Sequence, residues 1–235
     1  MENNPEVSKS VESKGKSFIR VTIFIIVLAV IFFLIAGTIN WPMAWVYLVT
    51  YYLLITMASL VVPVEKELVE ERTGIKEDAK NWDKVLASFL SFMIPVGLLL
   101  IAAVNKRFGT PLQMDRLTQI IALFIELAGY GLAIWAGAVN RFYSRYVRIQ
   151  KERNHTVVKS GPYQFIRHPG YSGIMLFGIA TGLVLDSIWT VAAGVLVLIL
   201  TIIRTALEDR VLQKELPGYA EYAQKTRYRL VPGVW

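Results

Sequence analysis

Hydrophobic residues along the chain form long runs that short polar breaks separate. Residues 21–64 include no charged side chain, and one membrane-spanning helix needs only about 20 residues. This stretch is long enough for two spanning helices, which we predict at about 18–36 and 42–62. The polar residues 37–42 supply the turn, and Pro42 suits the first turn of the second helix because that position needs no N–H partner.

Four later apolar runs predict four further spans, at about 85–105, 117–140, 170–185 and 187–203. The last two are short, and only Asp186 separates them, so they fit a tight helical hairpin that turns near Asp186 and Ser187. The predicted fold class is an all-α integral membrane protein with about six transmembrane helices, including this C-terminal hairpin.

Charged residues predict the orientation and the organisation of the chain. Residues 141–167 carry seven Lys and Arg side chains against the single acidic residue Glu152, which marks a cytoplasmic segment. Both termini and the 65–84 loop are then cytoplasmic, as is the candidate site. We predict a disordered tail at 1–17, a four-helix transmembrane region at 18–139 and a C-terminal region at 140–235 that contains the transmembrane hairpin.

Two features of the N-terminal half have more than one interpretation. The densely charged 65–84 loop fits either a solvated connector or a gate over the site, with Trp82 as its anchor. Glu126, the only charged residue in the fourth span, fits either a functional group at membrane depth or a hydrogen-bonded side chain packed between helices.

Composition excludes several classes of function. With 54% hydrophobic residues and a mean hydropathy of +0.46, the chain is too apolar for an ordinary soluble domain. The net charge is +7, and the basic residues flank the apolar segments. This placement favours contact with membrane lipids over nucleic acid. The sequence has no cysteine, and its two histidines lack the spacing of metal ligands, so we expect no metal site.

The polar break at 160–171 is the strongest candidate for a site of chemistry. His168 precedes Pro169, so we expect His168 to be extended and Pro169 to open the next helix. The N–H groups of that helix end could bind a carboxylate or phosphate. If the hairpin turns at residue 186, His168 lies opposite Arg204, and Glu208 projects one helical turn beyond.

Three ordered blocks of this region resemble the isoprenylcysteine carboxyl methyltransferase family of integral membrane enzymes. The blocks are His155-Thr156-Val157-Val158 with Gly161-Pro162-Tyr163 and Arg167-His168-Pro169-Gly170-Tyr171, then Arg204 to Leu212, and then Gly218 to Tyr222 with Tyr228 to Pro232. The resemblance covers about 140–235. The chain departs from the family at one position, where Asp209 replaces the second residue of a Glu-Glu pair.

The resemblance implies a methyltransferase that uses S-adenosylmethionine (SAM). It makes residues 140–235 the catalytic region, in which cytoplasmic segments bind the cofactor. It places Arg204, which faces the acceptor, His168 and Glu208 in catalysis. The residues that it assigns to the cofactor pocket are Gln150, His155, Thr156, Val157, Val158, Tyr163, His168, Pro169, Gly170, Tyr171 and Glu208.

The methyl acceptor is expected to be a lipid-like or amphiphilic molecule that enters from the bilayer. A carboxylate is already ionised at neutral pH and needs only Arg204 to orient it, whereas an amine needs a base such as His155, His168 or Glu126. A phospholipid N-methyltransferase and a small-thiol S-methyltransferase remain alternatives on the same scaffold. A non-catalytic membrane scaffold, in which the polar break only caps helices, is an alternative of a different class.

Overall fold

The structure is a computed structural model that describes residues 5–62 and 79–235. All regular elements in these two ranges are helical, which confirms the predicted fold class. The α-helices are α1 (Pro5–Ala36), α2 (Pro42–Val61), α3 (Asn81–Phe92), α4 (Leu98–Phe108), α5 (Arg116–Val139), α6 (Pro169–Val184), α7 (Ile188–Glu215) and α8 (Tyr219–Lys225).

Five segments are long and apolar enough to cross a membrane. They are Phe18–Ala36, Pro42–Val61, Asn81–Phe108, Arg116–Val139 and Ile188–Glu215. The third joins α3 to α4 through a π-helical turn at Met93–Gly97, and the apolar helix α6 is shorter than the others. The protein is therefore an integral, multi-pass membrane protein. A count of six spans and the orientation of the termini stay predictions.

Two expectations for the N-terminal half need correction or restriction. Helix α1 begins at Pro5, so residues 5–17, predicted as a disordered tail, are helical. The proposed gate at 65–84 lies outside the described residues except for its last six positions, in which Trp82 belongs to the first turn of α3. The division into three regions stays a prediction.

Glycines bring the helices of the C-terminal half close together. Helix α6 packs most extensively against α5 and α7. A Cβ atom on Gly173 would lie 2.2 Å from the carbonyl oxygen of Gly129, and one on Gly194 would lie 2.4 Å from that of Gly178. Small residues at such crossings let membrane helices approach to backbone contact. The candidate functional site lies at the predicted cytoplasmic end of these three closely packed helices.

The hairpin between α6 and α7 turns where the sequence predicts. Asp186 adopts a left-handed backbone conformation with φ of 53°, and Ser187 caps α7 by accepting a hydrogen bond from the Thr190 N–H. The Asp186 carboxylate also accepts from the Met114 N–H at 2.9 Å, which ties the turn to the loop before α5. Helix α7 then continues to Glu215, well beyond the predicted apolar run.

Candidate functional site

The segment between α5 and α6 is shaped by local hydrogen bonds. Asn140, which ends α5, accepts from the Phe142 N–H at 2.9 Å and donates to the Tyr163 hydroxyl at 3.1 Å. The buried Gln150 side chain donates to the Phe142 carbonyl at 2.8 Å. Gly161 has φ of 58° and starts the turn that leads to Tyr163. These bonds hold residues 155–158 beside the ends of α6 and α7.

A polar cavity lies between this segment, the start of α6, the end of α7 and α8. Its empty volume is about 800 Å³, counted to its open mouth, which is within the size of cavities that hold small ligands. Its walls include the aromatic residues Phe142, Tyr143, Tyr146, Tyr163, Tyr171, Tyr219 and Tyr222 and the charged residues Arg148, Arg167, Arg204 and Glu208.

Most of the predicted site residues line this polar cavity. They are His155, Thr156, Val157, Val158, Tyr163, His168, Gly170, Tyr171, Arg204 and Glu208. Gln150 and Pro169 do not line the cavity. Gln150 donates a hydrogen bond to the carbonyl of Phe142, which does line it, and Pro169 is the first residue of α6, as expected. The structure thus brings together residues up to 53 positions apart in sequence, while their individual roles stay predictions.

Tyr171 joins the two blocks of the site. Its hydroxyl donates to a Glu208 carboxylate oxygen at 2.5 Å, and the Arg204 guanidinium lies 5.2 Å from the centre of its ring. The His168 ring stacks on the same residue, with ring centres 5.7 Å apart. Glu208 makes no other hydrogen bond to the described residues, so its second oxygen is available to a ligand.

Asp83, which is not among the site residues predicted from the sequence, holds Arg204. Its carboxylate accepts from Arg204 Nε at 2.7 Å and from Nη2 at 3.1 Å, and it also accepts from the Val147 N–H. Arg204 Nη2 donates further to the Arg145 carbonyl at 2.6 Å. Within the described part of the chain Nη1 has no hydrogen-bond partner. The guanidinium is therefore fixed on one side and open on the other.

Asp209 is a buried hub rather than a cavity wall. Its carboxylate, with no exposed surface, accepts from Arg167 and Arg229 at 3.1 and 2.8 Å and from the Tyr219 hydroxyl at 3.0 Å. Gln213 also donates to it, at 2.8 Å. A buried carboxylate is tolerated where several donors surround it. This position, where the chain departs from the motif of the family that it resembles, joins α7 to α8 and to the C-terminal tail.

The expected pairing of His168 with Arg204 is wrong in its register. His168 Nε2 lies 3.4 Å from the Asp209 carboxylate, and His168 reaches Arg204 only through Tyr171. The expected pairing assumes that the chain is helical from residue 168 to the turn. His168 instead precedes α6 and has φ of −128°. One extended residue advances about 3.3 Å instead of 1.5 Å, and the side chains of α7 lean towards the N-terminus of that helix, so His168 meets a residue that is later on α7 than Arg204.

The two histidines have different surroundings. The His155 ring stacks on Phe142, with ring centres 4.3 Å apart, and its Nδ1 accepts from the Gln150 N–H at 3.3 Å. Partial burial, with Arg148 and Arg153 nearby, lowers the pKa of His155 to about 4. The His155 imidazole is therefore neutral at pH 7 and serves as a hydrogen-bond acceptor inside its segment.

A second, interhelical cavity lies beside the polar one. It is enclosed by α2, α3, the π-helical turn, α5, α6 and α7, and its empty volume is about 1390 Å³, counted to its open side. Its walls are mostly apolar, and Tyr51, Tyr130 and Phe177 lie at its far end from Arg204. The two cavities share four wall residues, Tyr143, Ser144, Tyr171 and Arg204.

Comparison with known proteins supports the resemblance seen in the sequence. Residues 121–214 match the model of the isoprenylcysteine carboxyl methyltransferase (ICMT) family. The matched region contains α6, most of α7 and the polar segment before them, and it stops short of the C-terminal block at 218–232.

One similar relative is a probable protein-S-isoprenylcysteine O-methyltransferase of Oryza sativa subsp. indica, 28% identical over 130 residues that cover 48% of this chain and 68% of the relative. Another is the cobalt-zinc-cadmium resistance protein CzcN of Cupriavidus metallidurans, 33% identical over 112 residues that cover 46% of this chain and 50% of that protein.

The fold is similar to that of the eukaryotic intramembrane Ras methyltransferase ICMT. The TM-score is 0.52 at 15% identity, and the alignment covers all of this chain and 86% of that chain. The predicted resemblance and the predicted enzyme class, a methyltransferase, are confirmed by these matches.

Proposed function

We propose that this methyltransferase of ICMT-like sequence and fold transfers a methyl group from SAM to the carboxylate of an amphiphile whose apolar tail lies in the interhelical cavity. The observation that carries the proposal is the wall of Tyr143, Ser144, Tyr171 and Arg204, which a polar cavity and an apolar cavity share. A water-soluble donor and a lipid-like acceptor can meet there and nowhere else along the two cavities.

The polar cavity has the groups that a SAM molecule requires. Tyr163 can offer an aromatic face to adenine, and the open oxygen of Glu208 can accept charge-assisted hydrogen bonds from amino or hydroxyl groups. The Tyr171 ring can stabilise a cation at its face, as it does for Arg204. When bound, SAM would supply an electrophilic methyl group on a sulfonium.

Arg204 is the residue that we assign to the acceptor. Its Nε and Nη2 atoms are held by Asp83 and Arg145, which leaves Nη1 to bind a carboxylate without moving. A guanidinium whose rotamer is already fixed loses little entropy when it binds, and orientation is the main requirement of an in-line displacement. Arg204 thus orients the nucleophile rather than activating it.

A carboxylate acceptor fits the wall better than an amine. An ammonium group must lose a proton before it can attack a methyl group, which requires a base at the reacting atoms. Two acidic residues contact this wall, and both are engaged: the Tyr171 hydroxyl binds Glu208, and Arg204 pairs with Asp83. His168 is held by Asp209, and His155 accepts the bond from Gln150. The phospholipid N-methyltransferase alternative lacks an evident base.

We place the polar cavity on the cytoplasmic face. Arg141, Arg145 and Arg148 lie on the segment that covers it, and positive residues of short loops remain on the cytoplasmic side. SAM would enter from the cytosol, and the acceptor would enter sideways from the bilayer.

The test supplies purified protein with methyl-labelled SAM and, separately, an S-prenylated N-acetylcysteine, phosphatidylethanolamine and a short alkyl thiol. We expect label in the prenylated acid, released as methanol by alkali because a methyl ester is base-labile. Label in base-stable lipid would establish N-methylation instead. Failure to label any acceptor, together with no thermal stabilisation by S-adenosylhomocysteine, would support the non-catalytic scaffold.

A further inference from the structure

Three aromatic rings close the interhelical cavity at the end away from Arg204. Tyr51 on α2, Tyr130 on α5 and Phe177 on α6 contact one another pairwise, with ring centres 5.5 to 6.4 Å apart. All three line the cavity, and Phe177 and Tyr51 are otherwise buried. Three touching rings from three helices form a floor without a gap for an alkyl chain.

The distance from the reaction end to this floor is short. On α6, the rise from Tyr171 to Phe177 is about 9 Å, and on α5 the rise from Gly137 to Tyr130 is about 10 Å. Half of a bilayer core is about 15 Å thick. An acceptor tail held straight in the cavity is therefore limited to less than one leaflet in depth.

The layer beyond the floor offers no continuation. One helical turn past each ring lies a polar side chain, with Tyr47 after Tyr51, Glu126 after Tyr130 and Thr181 after Phe177. Glu126 contacts both Tyr47 and Thr181, and all three are at most 2% exposed. The Oε2 atom of Glu126 has no hydrogen-bond partner among the described residues. A methylene chain forced into this layer would separate polar groups that contact each other, which is costly.

We propose that Tyr51, Tyr130 and Phe177 act as a ruler that sets the longest apolar tail this enzyme accepts. The proposal rests on the proposed function, because it assigns the acceptor's tail to the interhelical cavity. It assigns specificity to residues that lie about two helical turns from the reacting atoms, and it gives the buried Glu126 layer the role of a stop beneath the floor.

The test measures methyl transfer to S-n-alkyl N-acetylcysteines with even tails from hexyl to hexadecyl. Each variant is compared with wild type at every tail length, so that partition of the tail into detergent cancels. In wild type, we expect the apparent affinity to rise by about fourfold per methylene until the tail reaches the rings, and then to stop rising.

Two variants should shift this limit in opposite directions. Tyr130→Ala removes part of the floor, and tails beyond the wild-type limit should gain at least about fourfold relative to wild type, while hexyl should not. Ala58→Leu narrows the α2 wall above the floor and should disfavour the longest tails that wild type accepts. Phe124→Ala is the matched control, because its ring is 65% exposed on the same helix as Tyr130.

Opposite shifts cannot arise from a general loss of folding. The ruler is overturned if Tyr130→Ala changes all tail lengths equally, or if wild type shows no limit. Thermal stabilisation by each compound is recorded in parallel. If no compound is methylated, the proposed function fails, and the ruler is still decided by whether stabilisation in wild type stops rising at a tail length that Tyr130→Ala extends.

Discussion

Two neighbouring carboxylates on α7 have opposite environments. Asp209 is fully buried and accepts bonds from Arg167, Arg229, Tyr219 and Gln213. Glu208 lines a cavity and, within the described ranges, accepts a bond from Tyr171 alone. A saturated carboxylate holds elements together and has nothing left for a ligand. Glu208 can still accept hydrogen bonds at the cavity surface. We therefore expect Asp209 to contribute to stability and Glu208 to contribute to ligand binding.

The largest expected effect is the loss of stability when Asp209 is replaced. Asp209→Ala leaves the buried Arg167 and the partly exposed Arg229 without their shared anion, and breaking a buried ion pair costs about 3–5 kcal/mol. We expect a large drop in the melting temperature in detergent, with release of the C-terminal tail from α7. Thermal unfolding followed by light scattering and limited proteolysis near 226–235 measures both.

Glu215→Ala is the matched control for that variant. Glu215 lies on the same helix and pairs with Lys80 at 2.7 Å, but both side chains are partly exposed. Exposed ion pairs contribute about 0–1 kcal/mol. If Asp209→Ala and Glu215→Ala lower the melting temperature equally, the contacts of Asp209 do not hold α7, α8 and the tail together.

Glu208→Gln should affect binding and leave the fold intact. The amide keeps the size of the side chain and can still accept from Tyr171, but it loses the charge that strengthens bonds to a ligand, which is worth about 1.5–3 kcal/mol. The Kd for S-adenosylhomocysteine should therefore rise by about tenfold to a hundredfold, measured by calorimetry. Unchanged affinity would remove Glu208 from the cofactor site, and Glu215→Gln again serves as the control.

Asp83→Asn should separate positioning of the acceptor from binding of the cofactor. The amide oxygen can still accept from the Val147 N–H, but Arg204 loses the charged partner that fixes its guanidinium. We expect methyl transfer to fall by about tenfold, which corresponds to about 1.4 kcal/mol of barrier, with little change in S-adenosylhomocysteine affinity. Parallel loss of both would mean that Asp83 supports the whole site and not Arg204 alone.

The sequence predicted the parts of the molecule that local rules determine. The length of apolar runs located the spans, Pro169 located the start of α6, and Asp186 located the hairpin turn. The partner of Arg204 was not predictable in this way, because Asp83 is 121 residues distant and stands in a charged stretch that resembles a solvated loop. A carboxylate in the first turn of an apolar helix, close to the membrane surface, was the available signal.

The role of Asp209 was hidden for a related reason. Its donors come from the segment before α6, from α7 itself, from α8 and from the C-terminal tail, so no single spacing in the sequence reveals them. The family motif marked the position as a departure but gave no geometry. The extension of α7 to Glu215 is consistent with the same contacts, because Arg204, Glu208 and Asp209 find partners inside the protein instead of ending the helix.

The smallest expected effect concerns pH. The pKa of His155 is about 4 in the folded protein, below its ordinary value of about 6.5, because of burial and the nearby Arg148 and Arg153. The unfolded chain therefore binds more protons than the folded one between these values, and stability is lost as the pH falls from about 6.5 towards 4. His155→Gln lacks this contribution, so its melting temperature should fall less than that of wild type between pH 7 and pH 5. Parallel decreases in the two proteins would contradict this prediction, because they would show that burial and the nearby arginines do not lower the pKa of His155 in the folded protein.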